Sequence, residues 1–270
     1  MSAKDISVVL TAHNETTVAG PTMRSAEAAI DRAQREGLSV EAFIALDAPT
    51  EACHDYFTQA VFDGWQRIVL DERDLGRTRN TIVPQTVGRF IAFLDADDLF
   101  SENWLSEGGK RLGEGEMNGE MLIAHPELNW LFDGATMAFA KPNQDDPVFV
   151  PHFFYFSNYY DSLCLAPRQA HLEIPYVHRD IPNGLSFQDW QFSIETMAAG
   201  WKHVAVKDTI IFKRRRDSSL VTESGNRNAV VRALEAMAID HIAELGRTEP
   251  VRQSTRQAAA SSAVRAARTD

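Results

Sequence analysis

A chain of 270 residues, 44% hydrophobic and 24% charged, carries enough apolar material for one large domain or two small ones with a full core. Its formal net charge of -11 argues against general affinity for nucleic acid or anionic membranes, while leaving room for a local basic patch around a phosphate. Cys53 and Cys164 have no metal-type spacing and no disulfide framework, which fits a reducing cytoplasm and core positions for both. The start of the chain lacks a signal-peptide pattern, and no apolar run approaches the roughly 20 residues that span a bilayer.

Ile6 to Thr11 is an apolar, β-branched run that reads as a buried strand. Met23, Ala26, Ala29, Ile30 and Ala33 then recur at helical spacing over 22–36, and Gly37 closes that helix. Val40 to Leu46 is a second strand, ending at Asp47. Pro49 to Phe62 has a helical pattern with proline in the first turn. Arg67 to Leu70 is a short third strand. Arg77 to Val87 reads as a helix that Pro84 shortens or kinks. Arg89 to Leu94 is a fourth strand, Ser101 caps a helix over 101–112, and Met121 to Ala124 is a fifth strand.

This alternation predicts an α/β fold with a mostly parallel sheet flanked by helices. Ligands of such sheets sit outside the carboxyl ends of the strands. Three polar groups fall there: Thr11-Ala12-His13-Asn14-Glu15, Asp47, and Asp95-Ala96-Asp97. An Asp-x-Asp pair at a strand end supplies hard oxygen ligands suited to Mg²⁺ or Mn²⁺ carrying a phosphate. The glycine-rich loops that cradle dinucleotides or P-loop phosphates are missing, so a bound diphosphate needs another neutralising group.

The second half is less regular. Residues 125–185 are rich in proline, asparagine and aromatics, including Phe153-Phe154-Tyr155-Phe156, and read as short strands and loops. Gln188-Asp189-Trp190-Gln191 opens a helix through Ala199, closed by Gly200. Val204 to Val206 and Thr209 to Phe212 look like two strands, followed by Lys213-Arg214-Arg215-Arg216. Residues 228–245 have helical periodicity, and from Arg247 onward the chain is polar and alanine-rich. A tail helix and then a frayed or partner-dependent end are expected.

Taken together, Leu75-Gly76-Arg77-Thr78-Arg79-Asn80, then Gly88-Arg89-Phe90-Ile91-Ala92-Phe93-Leu94-Asp95-Ala96-Asp97-Asp98, then Gln188-Asp189-Trp190 form a pattern that resembles the family-2 glycosyltransferases of the GT-A fold. The resemblance covers 5–115 well and 185–220 moderately. It implies a GT-A type, Rossmann-like sheet in a domain over 1–225. Within it, 1–115 is the nucleotide-sugar-binding half and 116–225 an irregular acceptor-binding half, with a C-terminal helical tail over 226–270. The implied activity is metal-dependent, inverting transfer of a sugar from a nucleotide-diphosphate donor, UDP-sugar by default, to a hydroxyl of a glycan or lipid-linked acceptor in cell-surface polysaccharide biosynthesis. Thr11 and the turn His13, Asn14 and Glu15 contact the nucleoside. Asp47 accepts hydrogen bonds from the base, and Arg79 lies against it. Asp95 lies near the ribose with Ala96 beside it, and Asp97 binds Mn²⁺ or Mg²⁺ on the diphosphate. Asp189 is the general base, Arg214 and Arg216 meet the leaving diphosphate, and Trp190 walls the acceptor or donor site. The pattern departs from the family at Ala12 and His13, often Pro and Tyr, and at Gln188, often an acid.

Each residue also has a plain structural reading: Asp98, Asp47 and Asp189 as helix caps, Arg79 as a surface salt bridge, the Lys213–Arg216 run as a solvated face, and Trp190 as core. A sugar-1-phosphate nucleotidyltransferase and a non-catalytic nucleotide- or carbohydrate-binding module are the alternative functions. The location implied is cytoplasmic, at or near the inner face of a membrane, with peripheral membrane contact and a homo-oligomer through the C-terminal helix left open.

Overall fold

The computed structural model describes residues 4–216 and 220–247. Four parallel strands build one side of a nine-stranded sheet: β1 (Lys4–Ala12), β2 (Val40–Asp47), β3 (Gln66–Leu70) and β4 (Gly88–Asp95). They lie in the order β3-β2-β1-β4. Val8, Val9, Leu10, Ile44, Leu46, Ile91, Phe93 and Leu94 are fully buried, as continuous apolar runs covered on both faces must be. Helix α1 (Ala19–Arg35) joins β1 to β2 and buries Met23, Ala26, Ala29 and Ala33. Between β2 and β3 the expected helix over 49–62 is shorter: α2 (Glu51–Phe57) is capped by Thr50, whose hydroxyl accepts from Cys53 N–H, and a 3-10 turn follows at Ala60–Phe62. Helix α3 (Leu75–Ile82) is capped by Asp74, and Pro84 sits in the 3-10 turn that ends it, so the proline shortens the helix as expected.

Gly88 opens β4 where it passes very close to β1. A Cβ there would lie 2.4 Å from Ser7 Oγ and 2.5 Å from Ser7 N. Its N–H instead donates to Ser7 Oγ at 2.9 Å. This contact fixes the register that sets Thr11 beside Asp95 at the other end of the same strands.

The remaining strands are β5 (Leu99–Phe100), β6 (Leu122–Asp133), β7 (Met137–Ala140), β8 (Leu165–Pro167) and β9 (Lys202–Arg215). Beyond β4 the sheet continues β8-β6-β9-β5, with β7 on β6. β8 runs antiparallel to β4 and β6, whereas β6 and β9 pair in parallel along their length. The further helices are α4 (Trp104–Met117), α5 (Arg168–Glu173), α6 (Gln188–Ala198) and α7 (Leu220–Asn226). α4 starts later than expected: Ser101 is not its cap but accepts Ile210 N–H on Oγ at 3.0 Å, tying β5 to β9.

Three expectations need correction. The short strand at 121–124 runs on to Asp133, because Asn129, Trp130 and Leu131 find partners on both β7 and β9. The two strands expected at 204–206 and 209–212 are one. Lys207 and Asp208 bulge outward, Asp208 adopting a left-handed φ of 60°, while the pairing shifts between Pro126 and Leu128. The helix expected over 228–245 is not an α-helix. That stretch carries 3-10 turns at Glu235–Met237 and Ile242–Gly246. Leu234, Met237, Ile242 and Leu245 instead join a second core cluster with Phe149, Phe154, Tyr160, Ile194 and Met197, while Val230 and Ile239 are exposed. The expected frayed end falls outside the described residues. Among those described, no helix is long and apolar enough to cross a membrane.

Candidate active site

The aligned carboxyl ends of β1, β2 and β4 bring together the residues that sequence spacing pointed to. Ala12 lies beside Leu46, and Thr11 beside Asp95. Thr11 Oγ1 donates to Asp95 Oδ1 at 2.9 Å. The Asp95–Asp98 turn is locked from three sides: Ala96 N–H donates to the Thr11 carbonyl, Asp98 N–H to the Asp95 carbonyl, and Thr22 Oγ1 to the Ala96 carbonyl. Ala96 is buried by these contacts, so it shapes the turn that presents the two flanking carboxylates.

The loop after β1 closes on the loop after β2. His13 Nδ1–H donates to the Asp47 carbonyl at 2.8 Å, and Thr50 N–H donates to the His13 carbonyl at 3.0 Å. Glu15 accepts from His13 and Asn14 N–H on Oε2, which curls the loop around its carboxylate. His13 and Asn14 remain exposed at the rim. Asp47 is not the cap of the following helix, which Thr50 provides. Its Oδ1 accepts Glu72 and Arg73 N–H at 2.7 and 3.1 Å and so shapes the turn leading to α3.

Arg79 is neither a surface salt bridge nor an exposed face for a base. It is 2% exposed, and its guanidinium donates to Asp95 Oδ1 at 2.8 Å. Phe93 and Tyr176, which meet edge to face, both pack against it, their ring centroids 5.2 and 5.5 Å from the guanidinium carbon. Arg79 therefore reaches the site through Asp95.

Asp97 is mostly buried. Arg216 lies 2.9 Å from its Oδ2 and 3.2 Å from Glu15 Oε1, so one guanidinium joins the ends of β4, β1 and β9. Burial and then the charge of Asp95 raise the Asp97 carboxyl above the ordinary aspartate range, with Glu15 adding to the effect and Arg216 opposing it. Arg214 is turned aside: its Nε donates to Asp133 at 2.7 Å and its N–H to Asp98 Oδ1 at 2.8 Å. Asp98 is thus bound to β9 and does not cap a helix, and burial pushes its carboxyl up to about 8 despite Lys213 nearby.

These residues fit a divalent cation of the hard, oxygen-seeking kind. Asp97 is a desolvated carboxylate among like charges, and its present partner is itself a cation. Among the described residues no group of three or more His, Cys, Asp or Glu side chains could hold a metal unaided.

Asp189 enters from α6. The helix starts at Gln188 after Phe187, so Asp189 lies within the first turn and is not the cap. Burial, and next Asp161, raise its carboxyl above the ordinary range, while Lys213 and Arg79 pull the other way. Trp190 packs on Phe187 and, partly buried, against the second core cluster. A further group had no motif to announce it. Asp161 is shared by Lys141 at 3.3 Å and Lys213 at 3.7 Å, and Lys213 is also 3.7 Å from Asp98. In sequence Lys213 reads as the start of a basic, solvated run, and Lys141 and Asp161 fall in the irregular stretch over 125–185.

The mostly parallel sheet flanked by helices is an α/β fold of the GT-A type. Residues 7–122 match the profile of glycosyl transferase family 2. The structure is similar to S. aureus TarS 1–349 in complex with UDP-GlcNAc, at 15% identity and a TM-score of 0.56, covering 80% of this chain and 60% of that one. It is also similar to GalNAc-T7 with UDP, GalNAc and Mn²⁺, at 16% identity and a TM-score of 0.56, covering 79% of this chain and 44% of that one. The chain thus spans less than two thirds of either relative, and at such identities the likeness is one of fold. No curated protein sequence matches the chain. The match to glycosyl transferase family 2 covers residues 7–122, less than half of the chain.

Proposed function

We propose that the protein is an inverting glycosyltransferase that moves a sugar from a nucleotide-diphosphate donor, UDP-sugar by default, to a hydroxyl of a glycan or lipid-linked acceptor. The observation that carries this reading is the union of Asp97, Glu15 and Arg216 at the carboxyl edge of the sheet, with Asp189 presented from α6.

In this reading the nucleoside lies along Thr11–Glu15 and the turn organised by Asp47. Asp95, held by Thr11 and Arg79, faces the ribose. Asp97, with Glu15 beside it, would hold Mn²⁺ or Mg²⁺, which when bound offsets charge on the diphosphate. The Asp189 carboxylate takes the proton of the acceptor hydroxyl as its oxygen bonds the anomeric carbon. The bond from that carbon to the diphosphate oxygen breaks on the opposite face, and the electron pair leaves with the nucleotide. Arg216 exchanges Asp97 for the departing diphosphate and stabilises its charge.

The test is release of UDP from a panel of UDP-sugars with Mn²⁺ present. One donor is expected to be turned over, with water as a slow substitute acceptor. The pH profile adds a signature. The base works only when ionised, and burial raises its carboxyl. The acid limb of kcat/KM is therefore expected to fall as pH drops through a value above the roughly 3.9 of a free aspartate. Nucleotide binding without turnover of any donor would favour a non-catalytic binding module.

A further inference from the structure

We propose that Gln188 is a positioning residue for Asp189: its buried amide, fastened to Asp74, clamps the first turn of α6 to the cap of α3. This rests on the reading of Asp189 as the general base. Gln188 Nε2 donates to Asp74 Oδ1 at 2.8 Å. The same oxygen accepts Arg77 N–H at 3.0 Å, which caps α3, and Oδ2 accepts Arg179 N–H at 2.9 Å. One carboxylate thus joins three segments, and α3 carries Arg79, the partner of Asp95. Asp95, Arg79, Asp74, Gln188 and Asp189 form a continuous chain of bonded groups and short helical turns between the nucleotide side of the site and the base.

Two features show that the fit is built. A Cβ on Gly76 would lie 2.6 Å from Gln188 Nε2 and 2.7 Å from the Val177 carbonyl, so α3 approaches this close only because that residue is glycine. Phe187, directly before the clamp, holds a left-handed φ of 64° and ψ of 58° without being glycine. Such a conformation is strained and persists where surrounding contacts over-determine it. The residue type follows from the partner. Asp74 already accepts two backbone N–H groups, so the side chain facing it must donate. An acid in place of Gln188 would set two carboxylates at hydrogen-bond distance.

The experiment compares Gln188→Met and Gln188→Glu with wild type and Asp189→Asn. UDP-sugar turnover, Mn²⁺·UDP affinity and hydrogen exchange of residues 186–191 are each measured below the melting point of every variant. Misplacing a catalytic group by about 1 Å can cost about 100-fold, so kcat is expected to fall ~10- to 100-fold. Mn²⁺·UDP affinity should stay within about twofold, and exchange at 186–191 should rise at least about tenfold in Gln188→Met, as a local opening would give. Gln188→Met retains the length of the side chain, so it stays folded if Gln188→Glu does not. Wild-type kcat, or equal losses of kcat and affinity, would overturn the proposal. Unchanged exchange at 186–191 would overturn it too, whether or not a donor is found. If Asp189→Asn keeps its turnover, the base assignment fails instead.

Discussion

Asp189→Asn lowers turnover by a factor of about 10²–10⁴ and leaves Mn²⁺·UDP affinity within about twofold, because a general base contributes to the transition state and not to donor binding. The substitution keeps the size of the side chain and removes the charge. In the free protein that charge sits in a desolvated setting where Asp161 disfavours it and Lys213 and Arg79 favour it. Removing it therefore does not leave an unpaired cation: Lys213 keeps Asp98 and Asp161, and Arg79 keeps Asp95. Steady-state kinetics with titration calorimetry separate the two effects. Equal loss of kcat and of nucleotide affinity would mean that Asp189 belongs to the donor site.

Arg79→Met destabilises the fold by about 3 kcal/mol, in the range for breaking a buried ion pair from one side. The methionine keeps apolar contact with Phe93 and Tyr176, so little packing is lost. The carboxylate of Asp95 loses its guanidinium and keeps Thr11. Asp95 is partly open to solvent, which lets water recover some of the loss and sets the estimate at the low end. Urea unfolding measures the change through a lower midpoint at unchanged slope. Nucleotide affinity should fall as well, since Asp95 is no longer held in place. A variant as stable as wild type would mean that Tyr176 and Phe93, not the ion pair, carry this part of the core.

The first half of the fold was legible because its strands are buried on both faces. Uninterrupted runs such as Val8–Leu10 and Phe90–Leu94 have few other readings, and the register between them places Thr11 beside Asp95. The second half was not, because its strands are mixed in polarity and do not read as apolar runs. Pro126, Glu127 and Asn129 read as a loop, yet Glu127 is absorbed by Asp208 N–H and Thr209 Oγ1 across a bulge. The apolar spacing over 228–245 suited a helix, but Leu234, Met237, Ile242 and Leu245 are satisfied by the cluster around Phe154 and Tyr160. In the site, types and places were readable and partners were not. Nothing local says that Arg79 is buried in the core, that Arg216 bridges Asp97 and Glu15, or that Gln188 answers Asp74 from 114 residues away.

The measurement that tests the central claim most directly is thermal stability of wild type and Asp97→Ala with UDP, GDP, dTDP or CDP, each with and without Mn²⁺. A ligand at ~100 times its dissociation constant stabilises by about 2.7 kcal/mol, a readily visible shift in melting temperature. The account predicts a Mn²⁺-dependent shift with one nucleotide, UDP by default, that disappears in Asp97→Ala while the unliganded melting temperature is kept. A folded wild type that shifts with no nucleotide, or an Asp97→Ala variant that shifts as wild type does, would contradict it.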